Sequence, residues 1–151
     1  MPEYKFSVSE LINSPSNLVY NIIADYKDGH PKILPKPPFV SLEVKEGGFG
    51  AGTVMLVRMK VMGRLQSYTS VVSEPEPGRL LIETNDTGYI TTFSVEPKEN
   101  NKKSLVAFTT EIPRGSALMK KLEFHLTKLF LIPVYKKELK LLAEVSAENS
   151  R

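Results

Sequence analysis

Few side chains in this sequence stand where they could move a proton or hold a polar group. The chain has two histidines, His30 and His125. Imidazole titrates near neutral pH, so either suits general acid–base work. His125 falls in a long apolar-periodic segment. Projecting inward, it is a candidate acid or base; the plainer reading is a boundary histidine bonded to backbone. His30 lies in Asp28-Gly29-His30-Pro31, a turn-like string in which the ring is expected to be solvated. The Tyr68 hydroxyl is a second, weak catalytic candidate. Arg58 and Glu83 would become cavity residues only if the strand phases set out below were reversed. No catalytic residue is assigned beyond the candidates His125 and Tyr68.

Other chemistries lack their residues. There is no cysteine, and no carboxylate sits beside both histidines, so no metal site is expected. Gly47-Gly48 with Gly50 and Gly52 is glycine-rich, but it precedes a strand rather than opening a helix, so it reads as a hairpin loop and not a phosphate cradle. Gly-x-Ser-x-Gly, His-Glu-x-x-His and P-loop patterns are missing, and no cofactor is expected.

The elements that must position these groups follow from periodicity. Tyr4 to Ile12 alternates as a strand, with Phe6, Val8 and Glu10 on one side. Asn13-Ser14-Pro15 reads as a helix start, with Ser14 as cap and Pro15 at the first helical position. Leu18, Val19, Ile22 and Ile23 then share one face of a helix over 16–25. Asp28-Gly29-His30-Pro31 should break it, and a second short turn is expected around Lys32 to Leu34. From Phe39 the period becomes two, giving strands at about 39–45, 53–62, 65–73, 79–84, 89–96 and 104–112. The breaks between them are too short for parallel crossovers, so the strands form an antiparallel meander that the first strand can join. Ser116 would cap one long helix running to about Val145, with Pro133 inside it.

The predicted fold is therefore α+β: a seven-stranded curved antiparallel sheet wrapped around a long C-terminal helix, with two short helices after the first strand. One helix about 10 Å across cannot cover a sheet that wide unless the sheet curls, and curling leaves unfilled space. If Arg58 and Lys60 face water, Met55, Val57, Met59 and Val61 point inward. In the next strand Gln66, Tyr68, Ser70 and Val72 are placed inward, with the opposite phase nearly as well supported. Phe93, Val95 and Thr91 look inward further on. On the long helix Leu118, Leu122, Leu126, Leu129 and Pro133 form one stripe with His125 at its edge, while Phe124, Leu131 and Tyr135 lie nearly opposite. The expected ligand-binding set is Leu34, Met55, Val57, Met59, Tyr68, Phe93, Leu118, Leu122, His125 and Leu129. Each is equally readable as plain core.

Length and charge narrow the partners. At 151 residues the chain is expected to form a single domain over 1–146, with a polar tail at 147–151. A net charge of +3, mixed along the chain, leaves no footprint for nucleic acid. No apolar run approaches the roughly 20 residues that span a bilayer, so stable membrane insertion is not expected. The N-terminal residues lack a secretory pattern, and with no cysteine a cytoplasmic location is expected. Lys120, Lys121, Lys128, Lys136, Lys137 and Lys140 make the last helix basic, which reads as a solvated face or as a surface for transient contact with anionic membranes. A homodimer through Phe124, Leu131 or an edge strand is a further expectation.

Several strings, taken in order, resemble the START-like helix-grip superfamily, specifically its polyketide cyclase/dehydrase and lipid-transport branch. They are Asn13-Ser14-Pro15 with Val19-Tyr20 and Ile23-Ala24-Asp25; Gly50-Ala51-Gly52-Thr53; Val72 through Leu80 with its Glu-Pro-Glu-Pro-Gly-Arg turn; and Thr92-Phe93-Ser94-Val95-Glu96-Pro97 before the long helix. The resemblance spans nearly the whole chain. It implies a deep cavity between sheet and helix, gated by the short helices and nearby loops, that holds a lipid-like or polyketide-like molecule; some members cyclise or dehydrate such substrates. Where many relatives carry an aromatic residue such as Trp after the first helix, this chain has Tyr26-Lys27-Asp28-Gly29-His30-Pro31 and no Trp. The function expected is binding or transport of a hydrophobic small molecule, with a cyclase/dehydratase enzyme or a protein-interaction module as alternatives.

Overall fold

The structure, a computed structural model, describes residues 4–113 and 117–149, with residues 117–120 given by backbone alone. The elements run β1 (Lys5–Ile12), α1 (Ser16–Ala24), α2 (Gly29–Ile33), β2 (Phe39–Glu46), β3 (Val54–Val61), β4 (Arg64–Glu76), β5 (Leu80–Asn85), β6 (Ile90–Lys98), β7 (Lys103–Glu111) and α3 (Ala117–Asn149). The strands make one seven-stranded sheet in the order β1-β7-β6-β5-β4-β3-β2. Every pairing is antiparallel, and β1 closes against β7 with Lys5 opposite Glu111 and Ile12 opposite Ser104. The expected meander with the first strand added to it is the observed sheet.

Alternation shows most plainly in β7, where Ser104, Val106, Phe108 and Thr110 are buried and their neighbours are not. The inner face of β1, β6 and β7 packs with α1 and the C-terminal half of α3 into the core. Phe6, Phe93, Val95, Val106 and Phe108 meet Val19, Ile22 and Ile23 of α1 and Tyr135, Leu139, Leu142 and Val145 of α3. Each large side chain removed from water here contributes about 1.5–3 kcal/mol. Register shifts between Phe39 and Ser41, Val44 and Glu46, and Ser73 and Glu76 bend the far strands. Pro75 sits in the last of these, where it costs no ladder hydrogen bond.

Three local expectations are corrected. Ser14 does not cap α1. Pro15, in extended conformation at ψ 149°, is the N-cap residue and makes no side-chain cap bond, and the backbone oxygen of Ser14 accepts instead from Ser104 Oγ at 2.7 Å. The orphan N–H of Ser16 donates to Asn101 Oδ1 at 2.8 Å. Second, Asp28-Gly29-His30-Pro31 does not merely break the helix. Asp25 Oδ1 accepts from the Lys27 and Asp28 N–H groups, and the chain turns into α2. A Cβ at Gly29 would lie 2.6 Å from the Ile22 carbonyl oxygen, so only glycine lets α2 press this close to α1. That approach buries His30, which is 3 % exposed rather than solvated.

Third, α3 is rotated about its axis from the expected face. Its buried residues include Val134, Tyr135, Glu138, Leu139, Leu142, Val145 and Ser146. Followed toward the N-terminus at ~100° per residue, that face leads through Leu131 to Phe124 and away from Leu126. Phe124 and Leu131 pack against the core, which removes them as a free dimer surface. Leu122, Leu126 and Leu129 are instead exposed, Leu129 to 74 %. Pro133 lies inside the helix on the exposed side. The helix also runs to Asn149, beyond the expected end near Val145. Ser116, the expected cap, lies outside the described residues.

The Gly47–Gly52 segment is the β2–β3 connection, and it does more than turn. Gly48 O accepts from the Tyr26 N–H and Gly50 N–H donates to Ala24 O, each at 2.9 Å. The Ala51 N–H donates to Glu74 Oε1 at 2.7 Å, and Tyr20 Oη donates to Glu74 Oε2 at 2.6 Å. The loop thus ties the end of α1 to β4 and fixes where Tyr26 and α2 begin.

Candidate ligand-binding site

Between the inner face of the sheet and residues 123–138 of α3 lies a cavity of about 350 Å³. Its size falls within the range of small-molecule sites. Alternation in β3 delivers Met55, Val57, Met59 and Val61 to one wall, and β4 delivers Gln66, Tyr68 and Ser70. Leu34, Phe39, Leu42 and Met62 extend the apolar surface, and Phe130, Leu131 and Tyr135 roof it from α3. Methionine fits irregular space and varied ligands.

One end of the cavity is polar and buried. The Tyr26 hydroxyl donates to Glu83 Oε2 at 2.6 Å. His30 Nδ1 is 2.7 Å from the Ile23 carbonyl oxygen, which can only accept, so the ring proton sits on Nδ1 and Nε2 is bare. Nε2 lies 3.8 Å from Glu83 Oε2. The His30 ring stacks on Tyr26 at 4.5 Å and meets Phe93 edge-on at 5.7 Å. Burial lowers the His30 pKa to about 4 against the opposing pull of its backbone bond. Burial raises Glu83 to about 7, and the Tyr26 hydrogen bond holds it back from rising further. The Tyr26 hydroxyl is pushed well up, chiefly by burial and then by the charge of Glu83.

Glu138 joins this end from α3. It is 3 % exposed, and its Oε2 is buried with no hydrogen-bond partner among the described residues. Burial first, and the charge of Glu83 second, hold its pKa well above the usual carboxylate range. Beside it, Tyr135 Oη and Thr110 Oγ1 share a hydrogen bond of 2.5 Å, and Thr110 is 3.3 Å from Thr91 Oγ1. Elsewhere in the cavity, Tyr68 Oη donates to Gln66 Oε1, and Asn85, Tyr89, Glu123 and Thr127 complete the lining. Such an arrangement can grip a ligand by its apolar body, and it can exchange protons through Glu83, a carboxyl group raised to about 7.

Of the residues expected at the site, Leu34, Met55, Val57, Met59, Tyr68 and Phe93 line the cavity. Leu122, His125 and Leu129 do not, because the rotation of α3 turns them to solvent. The Leu118 side chain lies outside the described residues. Glu83 does line the cavity without any reversal of phase, and Arg58 is exposed. Glu138, Glu123, Thr127 and Phe130 were not foreseen. One signal for Glu138 is its position between Leu131–Tyr135 and Leu142, a charge on an apolar face. Among the described residues no cluster of three or more His, Cys, Asp or Glu side chains could hold a metal ion. No helix among them is long and apolar enough to cross a membrane.

No family model and no curated protein matches this sequence. Solved structures do. The KanY protein, solved in solution, shares 23% identity over 97% of this chain and 99% of its own, at a TM-score of 0.83. An aromatase/cyclase from a Streptomyces species superposes at 0.75 with 15% identity, covering 97% and 95% of the two chains. A START superfamily protein from Mycobacterium smegmatis superposes at 0.70 with 12% identity, covering 95% and 97%. The chain has the START-like helix-grip fold. In helix-grip terms, α3 is the gripped helix. At these identities the likeness carries the architecture, and what occupies the space depends on this chain's own side chains.

Proposed function

We propose that this protein binds or carries a hydrophobic small molecule, lipid-like or polyketide-like, between the sheet and α3. The observation that carries the reading is a cavity of about 350 Å³ walled by Met55, Val57, Met59 and Leu34 yet ending in buried polar groups. A dry core does not leave such groups beside open space without cost. Native mass spectrometry of freshly purified protein, followed by displacement of N-phenyl-1-naphthylamine, tests it. The dye should bind the wild type, and Met55→Trp, which fills the wall, should abolish binding while leaving the fold intact by circular dichroism. Equal dye binding by wild type and variant would sink the reading.

A second reading, an enzyme of the cyclase/dehydratase kind, is favoured by the contact of Tyr26 with Glu83 and the approach of His30 to the same carboxylate oxygen. A carboxyl titrating near pH 7 both takes and gives protons. Glu83→Gln would then stop turnover of an accepted substrate and leave dye binding unchanged.

The same reading includes brief contact of α3 with anionic membrane surfaces during loading. Its support is the exposed Leu122, Leu126 and Leu129 on the half-helix that also carries exposed Lys121 and Lys128. Co-sedimentation with phosphatidylserine vesicles that failed at low salt would count against it. A cytoplasmic location is part of this proposal and is supported by the absence of cysteine.

A further inference from the structure

The cavity is acidic inside a basic protein. The chain has twenty Lys and Arg against seventeen Asp and Glu, yet among the described residues Glu83, Glu123 and Glu138 line the cavity and no Lys or Arg does. Its buried end is rich in acceptors. His30 spends its Nδ1 proton on Ile23 O and presents a bare Nε2, and the Tyr26 proton is already committed to Glu83. Tyr135, Thr110 and Thr91 bond among themselves. Glu138 Oε2 is left with no partner among the described residues while its side chain is almost wholly buried. A buried carboxyl oxygen without a partner, on a side chain that lines the cavity, is costly unless something completes the group. An ammonium group brings donors only, together with the charge that an acidic, low-dielectric pocket lacks.

We propose that the ligand is an amphipathic amine, whose protonated nitrogen docks against Glu138 with Glu83 beside it while its apolar body fills the space walled by Met55, Val57 and Met59. The proposal rests on the ligand-binding reading above and adds the chemistry of the head group. The empty site holds a proton on Glu138, because burial and the facing Glu83 disfavour a second negative charge. The cation replaces that proton, so the charge of the closed end stays unchanged and one proton is released to solvent. The titratable groups that face this exchange are Glu83 from β5, His30 from α2, Tyr26 from the α1–α2 connection and Tyr135 from α3 itself. His30 stays neutral throughout and contributes only its Nε2 lone pair.

Isothermal titration of the full chain with octylamine, octan-1-ol and octanoic acid at pH 7.5 tests this, with the Met55 and Met59 methyl NMR signals reporting occupancy. Octylamine should bind at least roughly tenfold more tightly than the alcohol, the expected worth of a charge-assisted bond. Its heat should change with buffer in the sense of proton release. Glu138→Gln should keep alcohol binding and lose the amine preference. The proposal is overturned if the alcohol or the acid binds as well as the amine to the wild type. It is equally overturned if the preference survives in Glu138→Gln. If none of the three ligands moves the methionine methyls, the ligand-binding reading itself falls, and the amine with it.

Discussion

The Tyr26 hydroxyl donates to Glu83 Oε2 across 2.6 Å, joining the α1–α2 connection to the middle of β5. His30, four residues beyond Tyr26, approaches the same oxygen at 3.8 Å. The contact therefore couples the placement of both short helices to a carboxyl group inside the cavity, and the protonation states of Glu83 and His30 depend on that placement.

His30 should stay neutral at pH values where an exposed histidine is charged. Its pKa is lowered from 6.5 to about 4 by burial. Imidazole nitrogen NMR is expected to show the Nδ1–H tautomer unchanged at pH 6 and protonation only near pH 4. A midpoint above 6 would contradict the burial described for α2.

The two groups pull stability in opposite directions with pH. The unfolded chain protonates His30 near 6.5, but the folded chain waits until about 4, so the His30 contribution is complete above 6.5 and is lost as pH falls toward 4. Glu83 is raised from 4.5 to about 7, so the folded state keeps a proton that the unfolded state has released. Its contribution is complete below 4.5 and is lost as pH rises toward 7. Glu138 acts in the same sense as Glu83. Glu83→Gln keeps an acceptor for Tyr26 and removes this penalty. Urea unfolding should show the variant gaining, relative to wild type, up to about 3 kcal/mol between pH 5 and pH 8. An unchanged difference between the two pH values would refute the raised pKa.

The two sides of α3 should respond oppositely to truncation. Leu142 is fully buried, and Leu142→Ala should cost about 2–5 kcal/mol. Leu129 is mostly exposed, and Leu129→Ala should change stability by no more than about 0.5 kcal/mol. Thermal or urea denaturation distinguishes this arrangement from the helix face expected from sequence, for which Leu129 would be the costly position.

Gly50→Ala should uncouple the glycine loop from β4. Gly50 has φ +61°, and a Cβ there would lie 2.1 Å from Glu74 Oε1. Glu74 would have to give up its bond to the Ala51 N–H or to Tyr20. A loss of about 1–3 kcal/mol is expected, with amide exchange speeding up at Gly50 and Ala51. Full protection at both amides in the variant would count against the clamp.

The strands were legible because their signal is local. Arg58 and Lys60 fix the phase of β3, so Met55, Val57 and Met59 follow, and the turn residues between strands leave little freedom in the meander. The phase of β4, finely balanced by sequence, resolves with Gln66, Tyr68 and Ser70 inward. The face of α3 was not legible, because its first half offers two apolar stripes and periodicity alone cannot rank them. The choice is made by Leu139, Leu142 and Val145, anchored in the core several turns away. His30 was misread for a similar reason. Glycine, histidine and proline together signal a turn, but whether the turn faces water depends on how closely Gly29 lets α2 meet α1. Glu138 escaped notice because a glutamate on a helix is ordinarily a solvated residue.

The pairing of β1 with β7 has a consequence for biosynthesis. Lys5 lies opposite Glu111, so β1 has no neighbour in this sheet until the other strands up to β7 have been made. At ordinary translation rates that is a wait of roughly 5–20 s. Throughout that time Phe6 and Ile12, and the α1 residues that pack with them, have no core to enter. Closure of the sheet by β1 is thus a contact of high sequence separation that cannot form before β7 exists.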